Sequence, residues 1–194
     1  VAVRPPFDRP VSAGVPQGVL DEILICPPND WDAFMALASG RDDIAGVILE
    51  PAGGSCGTIP ADYDFLARLR EFTRVHGMVL IFDEVISGFG RLGTAFAAQK
   101  FKVTPDILTM AKAVNNASVP MGAVAVKRAI HDAVINAGAE GAVEFFHGYT
   151  YSGHPLAAAA ACATLDLYQR EGTFEQAAAM SPAFEDAAHS LKGK

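Results

Sequence analysis

The chain has 194 residues, of which 51% are hydrophobic and 19% are charged, and this composition favours a packed globular protein over a disordered one. Its net charge of −7 disfavours a nucleic-acid partner, because the phosphates would be repelled. No apolar run approaches the roughly 20 residues that a helix needs to cross a bilayer, so no membrane association is expected. Cys26, Cys56 and Cys162 show no paired spacing, which predicts free thiols and a cytoplasmic location.

Predicted strands alternate with predicted helices along the chain. Residues 1–20, which precede these elements, are rich in Pro and Gly. Their apolar residues follow neither the helical nor the strand periodicity. Short apolar runs predict strands at residues 45–49, 78–82, 106–110 and 122–126. Capping residues, prolines and a three-to-four-residue apolar spacing predict helices at residues 31–38, 62–76, 127–137, 155–170 and 173–180. This alternation predicts an α/β fold with a mostly parallel sheet flanked by helices.

Three polar side chains fall at or just after predicted strand ends: Glu50, Asp83 and Lys112. Ligands of open α/β sheets bind beyond the carboxyl ends of the strands, so these residues predict a site there. An acid and an amine at the ends of two strands suit a cofactor that needs a covalent amine anchor and an acidic partner for a ring nitrogen, such as pyridoxal phosphate. Because an apolar run precedes Lys112, we expect this side chain inside the core, where burial favours a neutral, nucleophilic amine.

Other interpretations of these residues remain open. Asp83 and Glu84 are adjacent, so alternation along a strand should aim only one of them at the site, and Asp83 could instead cap the following turn. The string LIFDE also resembles the Walker B strand of ATPases, but the chain contains no phosphate loop of the form GxxxxGK[ST]. Glu50 could orient a substrate or simply be solvated, and the glycine-rich loop at residues 52–57 could form a wall of the pocket.

Residues 145–155, FFHGYTYSGHP, combine aromatic rings, hydroxyls and two histidines ahead of a predicted helix. Backbone amides before a helix can meet an anion, and Thr150 could add a hydroxyl to a phosphate. His147 and His154 have no evident third ligand, so packing or hydrogen bonding is expected of them rather than metal binding.

Taken in order, five strings resemble the class III aminotransferases, which are pyridoxal-phosphate enzymes of fold type I: VILEP, VLIFDEVISGFGR, VTPDILTMAK, VPMGAVAV and HGYTYSGHPLA. They span about residues 43 to 172, and the last two suggest the branch that acts on ω-amino acids and amines with pyruvate as acceptor. The resemblance implies an incomplete large domain: an irregular segment and short helix (1–40), a cofactor-binding portion (41–165) and a helical lead into a missing C-terminal small domain (166–194).

The resemblance also implies roles for residues around the cofactor ring. Lys112 matches the catalytic lysine that forms the Schiff base with pyridoxal 5'-phosphate, Asp83 matches the partner of the pyridine nitrogen, and Val85 matches the apolar side chain against one ring face. Many members have Gln at the position of Ile86 and Gly at that of Ala113, so the chain departs from the pattern there. The stretch VNNAS after the lysine is also unusual and is expected to alter the local turn.

Other implied residues belong to the substrate pocket and to a homodimer, or a dimer of dimers, with shared active sites. Thr150 matches a phosphate ligand that reaches across the dimer interface, Tyr149 lines the substrate pocket, and Glu50 lies near the substrate end of the cofactor. The implied reaction moves an amino group from an amine or ω-amino acid to a 2-oxo acid. The alternatives are an aminomutase, racemase or decarboxylase of the same class, an ATPase, or a catalytically incomplete fragment that serves as a dimerisation module.

Overall fold

The computed structural model describes residues 12–54, 59–142, 145, 147–148 and 150–192. Within these residues one sheet has four strands, whose spatial order repeats their order in the chain. The strands are β1 (Gly46–Leu49), β2 (Val79–Asp83), β3 (Ile107–Ala111) and β4 (Gly122–Val126). The first three strands are parallel, and β4 runs antiparallel to β3. The predicted mostly parallel α/β sheet is confirmed.

Helices occupy much of the remaining described chain. They are α1 (Gln17–Asp21), α2 (Trp31–Ala38), α3 (Tyr63–Val75), α4 (Ala97–Phe101), α5 (Arg128–Ala137), α6 (Pro155–Glu171) and α7 (Thr173–His189), and a short 3₁₀ turn spans Lys112–Val114. In the described part of the chain, none of these helices combines the length and the apolar character that a membrane crossing requires.

The hydrophobic core lies between the sheet and helices α2 and α3. Its innermost side chains come from α3 and β2 and are fully buried: Leu66, Leu69, Leu80 and Phe82. Each apolar side chain of this size contributes about 1.5–3 kcal/mol when it is removed from water. Because β2 supplies two of the four, this packing fixes the strand that ends at Asp83.

The strand β1 is less buried than the sequence predicts. Val47 and Leu49 pack against the core, whereas the side chain of Ile48 is 63% exposed. Strand residues alternate between the two faces of a sheet, and the described helices of the core cover only the Val47 side of this edge strand. The prediction of a fully buried strand was therefore wrong for this element.

Three helical features were not predicted. Helix α1 lies within the first twenty-odd residues, where no regular structure was expected, and the five-residue α4 was missed altogether. Helix α7 continues to His189, past the predicted end near Met180, with Pro182 inside it. The prediction stopped early because proline lacks an amide hydrogen and usually ends a helix.

Candidate active site at the carboxyl edge of the sheet

The three polar residues singled out by the sequence lie at the same edge of the sheet. Glu50 directly follows β1, Asp83 is the last residue of β2, and Lys112 directly follows β3. Strands β1, β2 and β3 are parallel neighbours, so their carboxyl ends meet at one edge. The structure thus brings an acid and an amine together as the strand pattern predicts, and their chemical roles stay predictions.

The register between β2 and β3 sets the separation of Asp83 and Lys112. Asp83 pairs with Thr109, which lies three positions before Lys112. At roughly 3.3 Å per residue, the backbone of Lys112 lies about 10 Å farther along the strand direction. A carboxylate and a primary amine therefore follow from neighbouring strands, with the backbone of the lysine the farther along.

Asp83 is half-buried, and its two carboxylate oxygens have different surroundings. Oδ1 accepts a hydrogen bond of 3.0 Å from the backbone N–H of Val85. The alternative interpretation that Asp83 caps the following turn is therefore observed. Oδ2 has no hydrogen-bond partner among the described residues, so it remains available to a cationic or N–H group of a ligand.

The neighbouring Glu84 points elsewhere, as the alternation of strand side chains predicts. It is fully buried, and its Oε2 accepts hydrogen bonds from the N–H of Ala97 at 2.6 Å and the hydroxyl of Ser87 at 3.1 Å. Its Oε1 accepts a bond of 2.9 Å from the N–H of Ala98. Glu84 thus caps the first turn of α4 and fixes the chain directly after Asp83.

Lys112 is exposed, so the prediction that its side chain lies inside the core was wrong. The register gives the physical reason. Strand β3 runs two residues past the level of Asp83, through Met110 and Ala111, and among the described strands only β4 lies beside it there. Lys112 follows this overhang, beyond the end of β2, and its backbone turns with a φ of 48°.

The turn after Lys112 has an unusual backbone, as the VNNAS stretch led us to expect. Asn116 and Ala117 also have positive φ, at 53° and 56°. The N–H of Ala117 donates to the carbonyl of Lys112 at 2.8 Å, and the buried side chain of Asn115 donates to the carbonyl of Val119 at 2.6 Å. Non-glycine residues in this region cost about 1–3 kcal/mol each and persist only where the surroundings hold them.

One such support comes from a residue that the sequence analysis missed. The hydroxyl of Tyr168, in helix α6, donates to the carbonyl of Ala113 at 2.9 Å. Ala113 directly follows Lys112, whereas Tyr168 lies 55 positions farther along the chain. No local pattern reveals such a distant pair, so only the fold could identify it.

The loops beyond β1 and β2 pack against each other. Ile86, which stands where many class III members have Gln, lies against Gly54: a Cβ on Gly54 would lie 2.8 Å from the Cδ1 of Ile86. The N–H of Gly53 donates to the carbonyl of Glu50 at 3.1 Å. The described part of the loop after β1 therefore contacts the residues that follow Asp83, whereas residues 55–57 of the predicted pocket wall lie outside the described part of the chain.

An open cleft of about 830 Å³ borders the site between β3, β4 and the start of α6. Thr109, Met110 and the segment Tyr151 to His154 are among its lining residues, whereas Asp83 and Lys112 are not. Thr150 is exposed directly before this segment, and Tyr149 lies outside the described residues. His154 does not face a ligand here, because its Nδ1 accepts the N–H of Leu156 at 3.2 Å and caps α6.

A smaller depression of about 470 Å³ lies at the opposite end of β3, beside Asp106 and Lys127. These two residues form an ion pair of 2.7 Å, and Arg70 contacts the second oxygen of Asp106 at 2.7 Å. All three charged groups there are engaged with one another, so the carboxyl edge is the better candidate for chemistry.

The donor set at the carboxyl edge fits pyridoxal phosphate. The cofactor has an aldehyde, which reacts with a primary amine, and a ring nitrogen, which pairs with an acid. Lys112 offers an accessible amine, and Asp83 offers the carboxylate oxygen that its own turn does not use. Val85 lies half-buried beside Asp83 and can contribute an apolar surface to a ring.

Comparison with known proteins identifies the family of the chain. The family model described as aminotransferase class-III matches residues 30–194. The omega-aminotransferase of Caulobacter vibrioides is 48% identical over 84% of this chain, which covers 37% of that protein. The beta-alanine–pyruvate aminotransferase of Pseudomonas aeruginosa is 50% identical over 78% of this chain, and the matched part covers 34% of that protein.

Solved structures share the fold. The thermostable (S)-enantioselective omega-transaminase from Thermomicrobium roseum superposes with a TM-score of 0.70 at 39% identity, over 77% of this chain and 32% of that one. The chain thus spans about a third of the length of the relatives that it matches. On this evidence, the chain belongs to the class III aminotransferases.

Proposed function

We propose that the protein carrying this chain is a pyridoxal-phosphate-dependent aminotransferase. It moves an amino group from an amine or ω-amino acid to a 2-oxo acid, and pyruvate is the acceptor we favour. The observation that carries the proposal is the placement of Asp83 and Lys112 at the ends of adjacent parallel strands. The two curated relatives, whose names specify omega-amino and beta-alanine–pyruvate transfer, support the substrate class.

Each residue at the ring has a defined task in this proposal. Lys112 anchors the cofactor through its Nζ, the free Oδ2 of Asp83 pairs with the ring nitrogen, and Val85 packs against one ring face. When bound, pyridoxal phosphate supplies an electron sink for the pair of electrons that a breaking substrate bond leaves behind. The negative charge of Asp83 keeps a proton on the ring nitrogen. The Nζ of Lys112 would act as the general base that removes the proton from the substrate carbon.

The remaining predicted residues complete the site in an assembled protein. We propose that Thr150 binds the cofactor phosphate across the interface of a homodimer, while Glu50 and Tyr149 line the substrate pocket. Residues 41–165 then form the cofactor-binding part of a large domain, and residues 166–194 lead towards a second domain. A cytoplasmic location is consistent with the free thiols of Cys26 and Cys162.

The first experiment tests the anchor. We expect borohydride reduction of the full-length protein loaded with pyridoxal phosphate to fix the cofactor mass on the peptide that contains Lys112, as read by mass spectrometry. Lys112→Ala should carry no fixed cofactor and should lack the absorbance band of the bound cofactor. Lys100→Ala is the matched control, because Lys100 is an exposed lysine on α4. A fixed cofactor on any lysine other than Lys112 would overturn the assignment.

A second experiment identifies the reaction. With β-alanine and pyruvate, the loaded protein should produce alanine in step with pyruvate consumption. A product formed without a 2-oxo acid would instead indicate an aminomutase, a racemase or a decarboxylase. A protein that binds nucleotide and stays colourless with pyridoxal phosphate would support the ATPase alternative, and one that binds neither would support a structural module.

A further inference from the structure

Tyr168 lies outside the candidate active site but is linked to both loops that carry its key residues. Its hydroxyl donates to the carbonyl of Ala113, directly after Lys112. Its ring lies 5.4 Å from the ring of Phe174, between centroids. Phe174 in turn packs so closely on Gly90 that a Cβ there would overlap the phenyl ring. Gly90 belongs to the loop that follows Asp83. The α6–α7 elbow, defined here as Tyr168 to Phe174, therefore contacts both the loop after Lys112 and the loop after Asp83.

The hydroxyl of Tyr168 is suited to act as a lasting donor. The residue is half-buried, and burial raises its pKa above the ordinary value of about 10, although the nearby charge of Arg91 opposes this. The hydroxyl therefore keeps its proton throughout the physiological range. Since a carbonyl oxygen can only accept, the bond to Ala113 depends on that proton.

The turn that receives this bond needs external support. Lys112, Asn116 and Ala117 all adopt positive φ without being glycine. Within the turn, the carbonyl of Lys112 accepts from Ala117 and the carbonyl of Asn115 accepts from Ser118 at 3.1 Å. These short-range bonds close the turn but do not fix its orientation relative to the sheet. The bond from Tyr168 comes from a separate helix and, together with the burial of Val114 and Asn115, ties the turn to the rest of the fold.

We propose that Tyr168 is a positioning residue for Lys112. Its hydroxyl holds the carbonyl of Ala113, and thereby keeps the left-handed turn and the Lys112 backbone in one orientation towards Asp83. The Phe174 contact to Gly90 holds the loop after Asp83 against the same elbow. This inference rests on the proposed role of Lys112 as the cofactor anchor.

The test replaces only the donor. In the full-length protein, Tyr168→Phe keeps the ring contact with Phe174 and removes the hydroxyl. Without cofactor, we expect hydrogen exchange at the amides of Ala117 and Ser118 to become roughly two- to tenfold faster, which corresponds to the net effect of one hydrogen bond. Exchange of the amides that pair β3 with β4 should stay unchanged, which shows that the sheet is intact.

Function supplies the second readout. Attachment of pyridoxal phosphate to Lys112 in Tyr168→Phe should slow by a similar factor, and kcat should fall while the KM for the amine stays the same. Tyr63→Phe is the control, because the side chain of Tyr63 is 50% exposed at the start of α3.

The two proposals fail in different ways. If borohydride fixes the cofactor on Lys112 of the wild-type protein but Tyr168→Phe leaves exchange and attachment unchanged, the positioning role is wrong. The same conclusion follows if Tyr63→Phe causes equal changes. If no cofactor is fixed on Lys112 of the wild-type protein, the proposed function fails, and the positioning role fails with it.

Discussion

At the scale of single residues, two adjacent carboxylates are separated by the geometry of the strand. Asp83 keeps one oxygen free at the edge of the sheet, whereas Glu84 uses both of its oxygens on buried donors. The sequence predicts this division, because neighbouring strand residues point to opposite faces. It does not reveal the backbone partners of Glu84, Ala97 and Ala98, which lie 13 and 14 positions away in the chain.

Glu84→Gln should destabilise the protein. The variant keeps one acceptor oxygen but turns an amide NH2 towards the N–H groups of Ala97 and Ala98, which leaves at least one buried donor unpaired. We expect a loss of about 1–3 kcal/mol in the free energy of unfolding, measured by urea titration. Glu71→Gln removes an exposed carboxylate paired with Arg74 and should leave the free energy of unfolding nearly unchanged, because solvent screens this pair. Equal losses in the two variants would contradict the capping role.

Asp106 should make stability depend on pH in the acid range. Burial opposes its ionisation, but the N–H of Leu80 together with Lys127 and Arg70 outweighs burial and lowers its pKa below the ordinary value. The folded pKa therefore lies below the unfolded value of about 3.9. The stability that this group provides is fully present above the unfolded pKa and is lost as the pH falls through the folded one.

The measurement for Asp106 compares urea unfolding at neutral pH with unfolding near pH 3. The wild-type protein should lose stability between these conditions, and Asp106→Asn should be less stable at neutral pH but show a smaller loss on acidification. Asp43→Asn is the matched control, since Asp43 pairs with Arg41 on the exposed surface. An unchanged pH dependence in Asp106→Asn would refute the assignment.

At the scale of elements, the main strands and helices follow from apolar spacing, and the failures have physical causes. Helix α4 was missed because Phe96 at its N-cap has no side-chain acceptor, and the first helical amides are instead bound by the distant Glu84. Helix α7 was cut short because Pro182 sits inside it. The strand ends were predicted within one residue, which suffices to place the candidate site, but the exposure of Lys112 depends on the register between β2 and β3.

Two glycines test how the loop after β1 is built. Both Gly53 and Gly77 have positive φ, at 61° and 69°. A Cβ on Gly53 would overlap the carbonyl oxygen of Ile59, whereas one on Gly77 would meet no atom within 4 Å. Gly77→Ala should therefore lower the free energy of unfolding only by the strain of a left-handed alanine, about 1–2 kcal/mol. Gly53→Ala should lower it clearly more, and thermal unfolding of both variants measures the difference. Similar losses of stability in the two variants would show that the loop rearranges to accommodate the added Cβ and would contradict the expected overlap.

At the scale of the whole molecule, the proposed homodimer makes a prediction about shared sites. If Thr150 serves the partner's cofactor, a mixed dimer of one Lys112→Ala subunit and one Thr150→Ala subunit contains one site with both defects and one with neither. Such dimers should regain about half of the wild-type activity per dimer, although each variant is impaired alone. Activity no greater than the average of the two parental variants would contradict sharing.

The order of the sheet has a consequence for how this molecule is made. Each described strand after β1 lies beside the strand that precedes it in the chain, so its hydrogen-bonding neighbour has already been synthesised when it is made. Strands β1 and β2, which lead to Glu50 and Asp83, are thus made before β3 brings Lys112 to the same edge.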